Sequence, residues 1–498
     1  MQHKNNDGNG DHGHGNGAAI ATVKIDKRTA AELAKWNWQP QPAAWKLIGE
    51  LVNQFLARNA WTEKLADRMK HETGTRFIDW IDHIVAPENT LSGGLSQTLA
   101  ASGYEKYKAP GAGKGLVGYR NEKGMFPPIL VGGKQLLIAI KVESVVEFLQ
   151  AHDLDVHDVI EGEVGSRLRI VPVAQANGTS LCVIERHGLA GFDYDKSSPA
   201  KRIAAADVLG MFRTRKRDFG GDNKKAYSHT QKLVEGAIKG IGRDWACDLF
   251  FKAEREYWMK RNRAAQVQFA RQCVLGLGWA NHDHHTYRCS RETFAQHVKL
   301  WETLGMYCRE RFYAGAEAGW GAQVMEQPVT GIISFNDVDM DPEELLGDFS
   351  HKGFKKKLGK LGTVGLWCSL HGEATFEAGM HHLEAQFDHH ALVEQLEKAG
   401  GGKTMAPFTT FPYLRQAFTE GERWAVRPAN VARTLKTGLI TEAHAKLFEK
   451  EGAIGSHLEN LERNDGFKGF NQQGVSDIIA RTDPRKLSAA MAKAGSNA

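Results

Sequence analysis

The stretch Asn281-His-Asp-His-His-Thr-Tyr-Arg288 carries three histidines and leads into apolar residues spaced like one face of a helix, over 294–304. This pattern predicts a strand followed by a helix. Two other stretches, at 77–99 and 379–396, repeat it, and each begins with a histidine-bearing apolar segment. Because a unit that recurs along a chain is typical of an internal structural repeat, we expect an α+β fold built from repeated strand-and-helix modules.

Composition and periodicity divide the chain into six parts. These are a disordered tail rich in Gly, Asn and His (1–27), a helical N-terminal segment (28–72), a first β-rich module (73–195), a helical insertion (196–279), a second module region (280–430) and a helical, polar C-terminal segment (431–498). The tail is expected to be disordered because it has too few apolar side chains to bury. The other boundaries follow changes between helical and strand-like spacing.

The overall composition is that of an ordinary globular protein. Of the 498 residues, 42% are hydrophobic and 25% are charged, and the net charge is +5. So small a net charge predicts no nucleic-acid partner. The six cysteines form no C-x-x-C pair, and no apolar run approaches the roughly 18 residues that span a bilayer. We therefore expect a cytoplasmic protein without a membrane partner, and we include a homodimer among the expected assemblies.

Histidines cluster on two of the predicted strands. Alternate side chains of a strand share a face, so His282, His284 and Arg288 are expected to lie together on one strand. On another strand, His382 and Glu384 share a face. Two histidines and one carboxylate on neighbouring strands are the ligand set of a mononuclear Fe(II) site, which leaves positions open for substrate and O2. The alternative is that these histidines only form hydrogen bonds within a half-buried sheet.

Four further side chains bear on such a site. His83, in the apolar segment that begins the first unit, is either a structural histidine or a metal ligand. Glu326 is a rival carboxylate, and it is expected to have a partner because an unpaired charge in an apolar strand is costly. Arg288 and Arg415 could each hold a substrate carboxylate by bidentate hydrogen bonds, or serve as structural ion-pair partners.

The repeated histidine-bearing strand that leads into a helix resembles the vicinal oxygen chelate superfamily, in which paired βαβββ modules surround a divalent metal. Within that superfamily, the segment Asp283-His-His-Thr-Tyr-Arg288 is similar to the Asn-His-Leu-Thr-x-Arg strand of the 2-oxoadipate dioxygenase/decarboxylase (hydroxyglutarate synthase) family. The resemblance implies Fe(II) as the cofactor and His83, His284 and Glu384 as its ligands. The alternatives to these ligands are His382, His282 and Glu326.

The sequence departs from this family at Pro87, where the family has an arginine that holds the substrate carboxylate. We therefore expect shared metal chemistry without assuming a shared substrate. The expected function is that of a mononuclear non-haem Fe(II)-dependent dioxygenase/decarboxylase, which acts with O2 on a 2-oxo acid or a similar small carboxylate.

Three alternatives stand beside this function. One is a glyoxalase-type isomerase or lyase that uses Zn, Ni or Mn. Another is a non-enzymatic ligand-binding protein of the same fold. The third is a DHH-type manganese phosphoesterase, suggested by the triplet Asp283-His284-His285, although Lys403 follows the glycines at 400–402 where that family has a histidine.

Overall fold

The structure, a computed structural model, describes residues 27–155, 160–193, 196–315 and 318–471. Residues 1–26 of the predicted tail and residues 472–498 of the predicted C-terminal segment lie outside these ranges. In the described part of the chain, sixteen strands form two sheets, with α-helices packed against them.

The first half of the chain forms three helices and then the N-terminal sheet. Its elements are α1 (Lys27–Leu33), α2 (Pro42–Leu56), α3 (Ala60–Thr73), β1 (Ile81–Ala86), α4 (Leu95–Ala101), β2 (Glu105–Tyr107), β3 (Val117–Arg120), β4 (Ile129–Val131), β5 (Leu136–Lys141), α5 (Val145–Ala151), β6 (Leu168–Ala176) and β7 (Thr179–Arg186).

The N-terminal sheet is built from two modules, with the strand order β2-β3-β4-β1-β5-β7-β6. In module 1, β1 is followed by α4 and three strands, and it pairs in parallel with the last of them, β4. Module 2 consists of β5, α5, β6 and β7 and has one strand fewer. Antiparallel pairing of β1 with β5 joins the two modules. Apolar side chains of α2 and α3, among them Leu51, Phe55 and Leu65, share one core with this sheet.

The second half of the chain forms a helical insertion and then the C-terminal sheet. Its elements are α6 (Pro199–Thr214), α7 (Asn223–Ile241), α8 (Arg243–Met259), α9 (Arg263–Val274), β8 (His282–Cys289), α10 (Phe294–Thr303), β9 (Tyr307–Tyr313), β10 (Trp320–Glu326), β11 (Ile333–Asp339), α11 (Phe349–Lys352), α12 (Thr363–His371), β12 (His382–Gln386), α13 (His389–Lys398), β13 (Thr409–Phe411), β14 (Leu414–Phe418), β15 (Glu422–Trp424), α14 (Pro428–Lys436), α15 (Glu442–Glu451) and β16 (Ala453–Arg463).

The C-terminal sheet repeats the plan of the N-terminal sheet. Its strand order is β13-β14-β16-β12-β8-β11-β10-β9, with β15 paired to β16. Module 3 is β8, α10, β9, β10 and β11, and module 4 is β12, α13, β13, β14 and β16, interrupted before β16 by β15, α14 and α15. In both modules the first strand pairs in parallel with the last, and β8 pairs with β12 in antiparallel fashion. Two modules therefore meet at the histidine-bearing strands.

The helical insertion covers one face of the C-terminal sheet. Side chains of β8 that point to this face, such as His285 and Tyr287, lie against Phe251 of α8, with ring centroids 5.1 and 6.1 Å from it. Phe250 and Trp301 join the same buried cluster. Because alternate residues of a strand point to opposite faces, the remaining side chains of β8 are directed to the other face of the sheet, away from α8.

The predicted α+β fold with repeated βαβββ modules is confirmed, and the described part of the chain contains four modules. The region 73–195 holds two of them, and the second module region extends beyond residue 430. The strand β16 differs from the prediction, because 431–498 was expected to be helical. Its buried face is rich in polar side chains, which hides the apolar alternation on which strand prediction depends. Within the described ranges, no helix is both long enough and apolar enough to cross a membrane.

Candidate metal centre

Three neighbouring strands of the C-terminal sheet bring ionisable side chains into one row. His284 of β8 lies opposite Glu384 of β12, and Glu384 lies beside Glu459 of β16. Two residues along each strand, a second row on the same face contains Thr286, His382 and His457. This register arises because β12 and β16 both carry the tripeptide His-Leu-Glu and pair in parallel with equal residues side by side.

The side chains of the first row are in contact and almost fully buried. His284 Nε2 lies 2.9 Å from Glu384 Oε1, and His382 Nε2 lies 2.7 Å from the same oxygen. Thr286 Oγ1 also donates a hydrogen bond to it, at 2.9 Å. Candidate ligand atoms of His284, Glu384 and Glu459 all lie within 4.8 Å of one another, and each of these residues is at most 2% exposed. We call these three residues together with His382 the cluster: four potential metal ligands that lie close together and are shielded from solvent.

The electrostatics of this row suit a cation. Burial and the neighbouring carboxylate of Glu384 raise the pKa of Glu459 well above its usual range. Burial works against the charge of Glu384 too, but His284 and His382 beside it hold the pKa of Glu384 below its usual range. Two buried carboxylates so close together repel each other when both are ionised, and a divalent cation between them removes that repulsion.

His284 is held from behind by a buried ion pair. Its Nδ1–H donates to Asp283 Oδ1 at 2.7 Å, and Arg463 donates to both oxygens of Asp283 at 2.9 and 3.0 Å. Burial opposes the charge of Asp283, but Arg463 beside it keeps the pKa of that carboxyl well below its usual range. An ionised carboxylate only accepts hydrogen bonds, so it fixes the proton of His284 on Nδ1 and leaves Nε2 facing the cluster.

A cavity of about 70 Å³ opens at this cluster. Its polar lining includes Arg288 and Asp337, which lie opposite each other on β8 and β11 with Arg288 Nε 3.9 Å from Asp337 Oδ2. Burial raises the pKa of Asp337 well above its usual range. The apolar lining is aromatic: it consists of Phe312, Trp320, Phe335, Phe408, Phe418 and Phe470. The cavity thus joins the cluster to an apolar wall and to one guanidinium group.

The donor set fits a first-row transition metal. Imidazole nitrogens together with carboxylate oxygens are the ligands typical of Fe(II), Mn and Zn sites. Two atoms of the cluster, Glu384 Oε2 and His382 Nδ1, are buried without a hydrogen-bond partner among the described residues. Unsatisfied buried polar atoms are costly, and Glu384 Oε2 in particular remains available as a further ligand atom.

The structure brings together four of the residues predicted from the sequence. His284, Glu384 and the alternative ligand His382 belong to the cluster, and Arg288 lines the cavity beside them. Glu459, which completes the row, was not predicted. It lies in the segment expected to be helical, although the repeated His-Leu-Glu tripeptide was a sequence signal that could have identified it.

Two predicted histidines lie elsewhere. His83 is in the N-terminal sheet, where its Nδ1 is 2.7 Å from Asp82 and its ring is 4.7 Å from that of Phe192. His282 does not share the face of His284, because the pairing of β8 with β12 shifts register between these two residues. Such a bulge reverses the alternation, and the ring of His282 accordingly lies 5.1 Å from that of His285, on the side of α8.

The remaining candidates are held in other contacts. Glu326 pairs with Arg309 at 3.2 Å and with Lys468 at 3.4 Å, outside the cluster. Arg415 lies 2.9 Å from His390 at the surface, because its neighbour Gln416 takes the cavity-facing position of β14.

The triplet that suggested a phosphoesterase does not converge on one centre. Of its three side chains, only that of His284 faces the cavity. Asp283 is bonded to Arg463, and His285 points towards α8. Burial and the nearby Arg255 lower the pKa of His285 to about 3, so it is a neutral side chain of the core.

Comparisons with known proteins concern the fold alone. No protein-family model matches the sequence, and no curated protein matches it. Among solved structures, the chain is similar to a putative glyoxalase superfamily protein from Ralstonia eutropha JMP134, with a TM-score of 0.31 and 10% identity over 53% of this chain and 96% of the other.

Two further structures show the same kind of likeness. A mutant of 4-hydroxymandelate synthase from Streptomyces coelicolor matches with a TM-score of 0.24 and 13% identity, over 83% of this chain and 98% of the other. Methylmalonyl-CoA epimerase from Mycobacterium tuberculosis matches with a TM-score of 0.20 and 11% identity, over 37% of this chain and 88% of the other. At such scores no activity carries over to this chain. The resemblance to the vicinal oxygen chelate superfamily, and the narrower one to 2-oxoadipate dioxygenase/decarboxylase, stay predictions.

Proposed function

We propose that this chain is a metal-dependent enzyme, and specifically a non-haem Fe(II)-dependent dioxygenase/decarboxylase of a 2-oxo acid or similar small carboxylate. The observation that carries the proposal is the buried row of His284, Glu384 and Glu459 at the cavity, with His382 in contact with both carboxylates. Together these side chains supply two imidazoles and a carboxylate, the donor set favoured by Fe(II), with one further carboxylate beside them.

In this proposal Fe(II) supplies a site at which O2 and the 2-oxo carboxylate of the substrate can bind together. The chain's own residues place the other groups. Thr286 and Gln416 donate hydrogen bonds to Glu384 and Glu459 at 2.9 and 2.8 Å, and thereby orient the two carboxylates. Arg288, four residues beyond His284 on the same face, is placed to hold a second anionic or polar group of the substrate.

The aromatic wall has a separate part. Six aromatic side chains line the cavity and keep bulk water from the reacting groups. Exclusion of water strengthens the hydrogen bonds and ion pairs inside the cavity. It also favours a substrate with an apolar body between its polar ends.

A second candidate function rests on the number of ionisable groups in the cluster. A three-ligand site uses three of His284, His382, Glu384 and Glu459, and the fourth is then a base within reach of a bound substrate. A metal ion with an adjacent base can catalyse an isomerase or lyase reaction, with Zn, Ni or Mn in place of iron.

Metal analysis and oxygen uptake test the proposal together. Protein purified without oxygen is expected to contain about one iron per chain and to consume O2 with at least one member of a panel of 2-oxo acids. The matched pair of variants is Glu459→Gln and Glu326→Gln: the first is expected to lose iron and activity, whereas the second removes a carboxylate outside the cluster and should keep both. Bound zinc, nickel or manganese without O2 uptake would favour the isomerase or lyase. Absence of bound metal from the protein and from its reconstituted form would contradict both.

A further inference from the structure

The N-terminal sheet contains a second copy of the group that holds His284. There, His83 Nδ1 lies 2.7 Å from Asp82, and Arg186 donates to both oxygens of Asp82 at 2.7 and 2.9 Å. In the C-terminal sheet the corresponding residues are His284, Asp283 and Arg463. Each aspartate directly precedes its histidine, and each arginine comes from the last strand of the following module.

Strand register shows that the two groups occupy equivalent places. In the C-terminal sheet the row that starts at His284 continues with Glu384 and Glu459. In the N-terminal sheet the row that starts at His83 continues with Ala139 and Cys182. Each arginine lies four residues after the last member of its row, at 186 and at 463. The N-terminal copy therefore keeps the supported histidine, while an alanine and a cysteine stand where the carboxylates would be.

Both arginines also hold the segment that follows them. Arg186 Nη1 donates to the carbonyl of Gly191 at 2.5 Å, and the ring of the next residue, Phe192, lies on His83 at 4.7 Å. Arg463 Nη1 donates to the carbonyl of Gly469 at 2.7 Å, and the ring of Phe470 lies on His284 at 4.8 Å. We call residues 464–471 the strap. Its last two residues, Phe470 and Asn471, line the cavity, so the same guanidinium contacts both the support of His284 and the cover of the site.

We infer that Arg463 is a positioning residue that couples the orientation of His284 to closure of the strap over the cavity. The inference rests on the proposed function for the role of His284 as a metal ligand. The planar guanidinium of Arg463 makes this coupling possible. Its Nε and Nη2 donate to the two oxygens of Asp283, while Nη1 donates to the carbonyls of Phe467 and Gly469. A lysine has the same charge but lacks this fixed fork, and so cannot make both sets of contacts at once.

The duplicate group supplies a matched control within the same chain. Arg463→Lys and Arg186→Lys make the same chemical change in an ion pair that is largely buried, and only the first lies behind the proposed site. Loss of a supporting group typically lowers metal affinity by ~10–100-fold. We expect this loss, measured by titration of the metal-free protein with Co(II), in Arg463→Lys, and affinity within about twofold of the wild type in Arg186→Lys, where no row ligand is affected.

A second measurement does not depend on metal. Amide hydrogen exchange of the metal-free proteins is expected to be faster at 464–471 in Arg463→Lys, and at 187–193 but not at 464–471 in Arg186→Lys. Equal loss of Co(II) affinity in both variants, or unchanged affinity and unchanged strap exchange in Arg463→Lys, would overturn the inference. If the wild type binds no Co(II), the proposed function fails. Amide hydrogen exchange at 464–471 then decides by itself whether Arg463 holds the strap.

A milder pair of variants guards against misfolding. Asp283→Asn and Asp82→Asn keep the shape of the side chain and remove its charge. The first is expected to weaken Co(II) binding and to change the ligand-field spectrum of bound cobalt, because His284 is no longer held in one orientation. The second is expected to change neither, and a spectral change common to both would count against a specific role for the group behind His284.

Discussion

Replacing Glu459 with glutamine is expected to affect the metal-free protein and metal binding in opposite directions. Oxygens of Glu459 and Glu384 lie within 4.8 Å of each other, and both side chains are buried. Because burial and Glu384 raise the pKa of Glu459 well above its ordinary value of 4.5, its carboxyl must take up a proton to fold at pH 7, which costs up to about 3 kcal/mol. Glutamine keeps the volume of the side chain and needs no such proton. The free energy of unfolding of metal-free Glu459→Gln is therefore expected to rise at neutral pH, by as much as about 3 kcal/mol.

Metal binding is expected to change the other way. The amide removes one of the three side chains of the row and one of the two charges that attract a cation. Loss of a direct ligand should exceed the ~10–100-fold effect that is typical for loss of a supporting group. We therefore expect the affinity of Glu459→Gln for Co(II) or Fe(II) to fall by at least ~100-fold.

The assay combines urea unfolding in the presence of a chelator with titration of the metal-free protein. Glu326→Gln serves as the control, because Glu326 is paired with Arg309 and Lys468 outside the cluster. That variant should be less stable than the wild type and should bind metal equally well. A Glu459→Gln protein that is less stable without metal, and that binds metal like the wild type, would contradict both expectations. Glu459 would then be only the acceptor for Gln416.

Three further predictions follow from single sites. His284→Ala should abolish metal binding, measured by elemental analysis, whereas His83→Ala should leave the metal content unchanged. Arg288→Met should raise KM for a carboxylate substrate at least ~10-fold through loss of a charge-assisted hydrogen bond, with the metal retained; an unchanged KM would remove Arg288 from substrate binding. Burial opposes the charge of His187, but hydrogen bonds to Asp248 and Glu185 raise its pKa to about 9 from 6.5. The free energy of unfolding of the wild type should therefore exceed that of His187→Gln by about 3 kcal/mol below pH ~6.5. This difference should be lost as the pH rises through about 9, and unfolding at pH ~6 and ~10 measures it.

Whether a residue of the site could be predicted from the sequence depends on whether its position follows from a single strand or from the pairing of distant strands. His284 and Arg288 were found because alternation along a single strand is a local property, visible in the spacing of residues. His382 and Glu384 were found for the same reason, as a pair on one strand. The alternation rule then misplaced His282, because a bulge depends on how β8 pairs with β12 and has no mark in the local pattern.

The repeated strand-and-helix unit and the histidine-bearing strands at which modules meet were predictable from local sequence, because hydrophobic periodicity is encoded locally. Which carboxylates join the histidines depends instead on how distant strands pair in the folded chain. Glu459 reaches Glu384 through parallel pairing of β12 with β16, across a separation of 75 residues that includes the three helices α13, α14 and α15. The fold also places His83 in another sheet, in a row completed by Ala139 and Cys182. Strand pairing is set by long-range packing, and so the composition of the metal centre could not be read from any single segment.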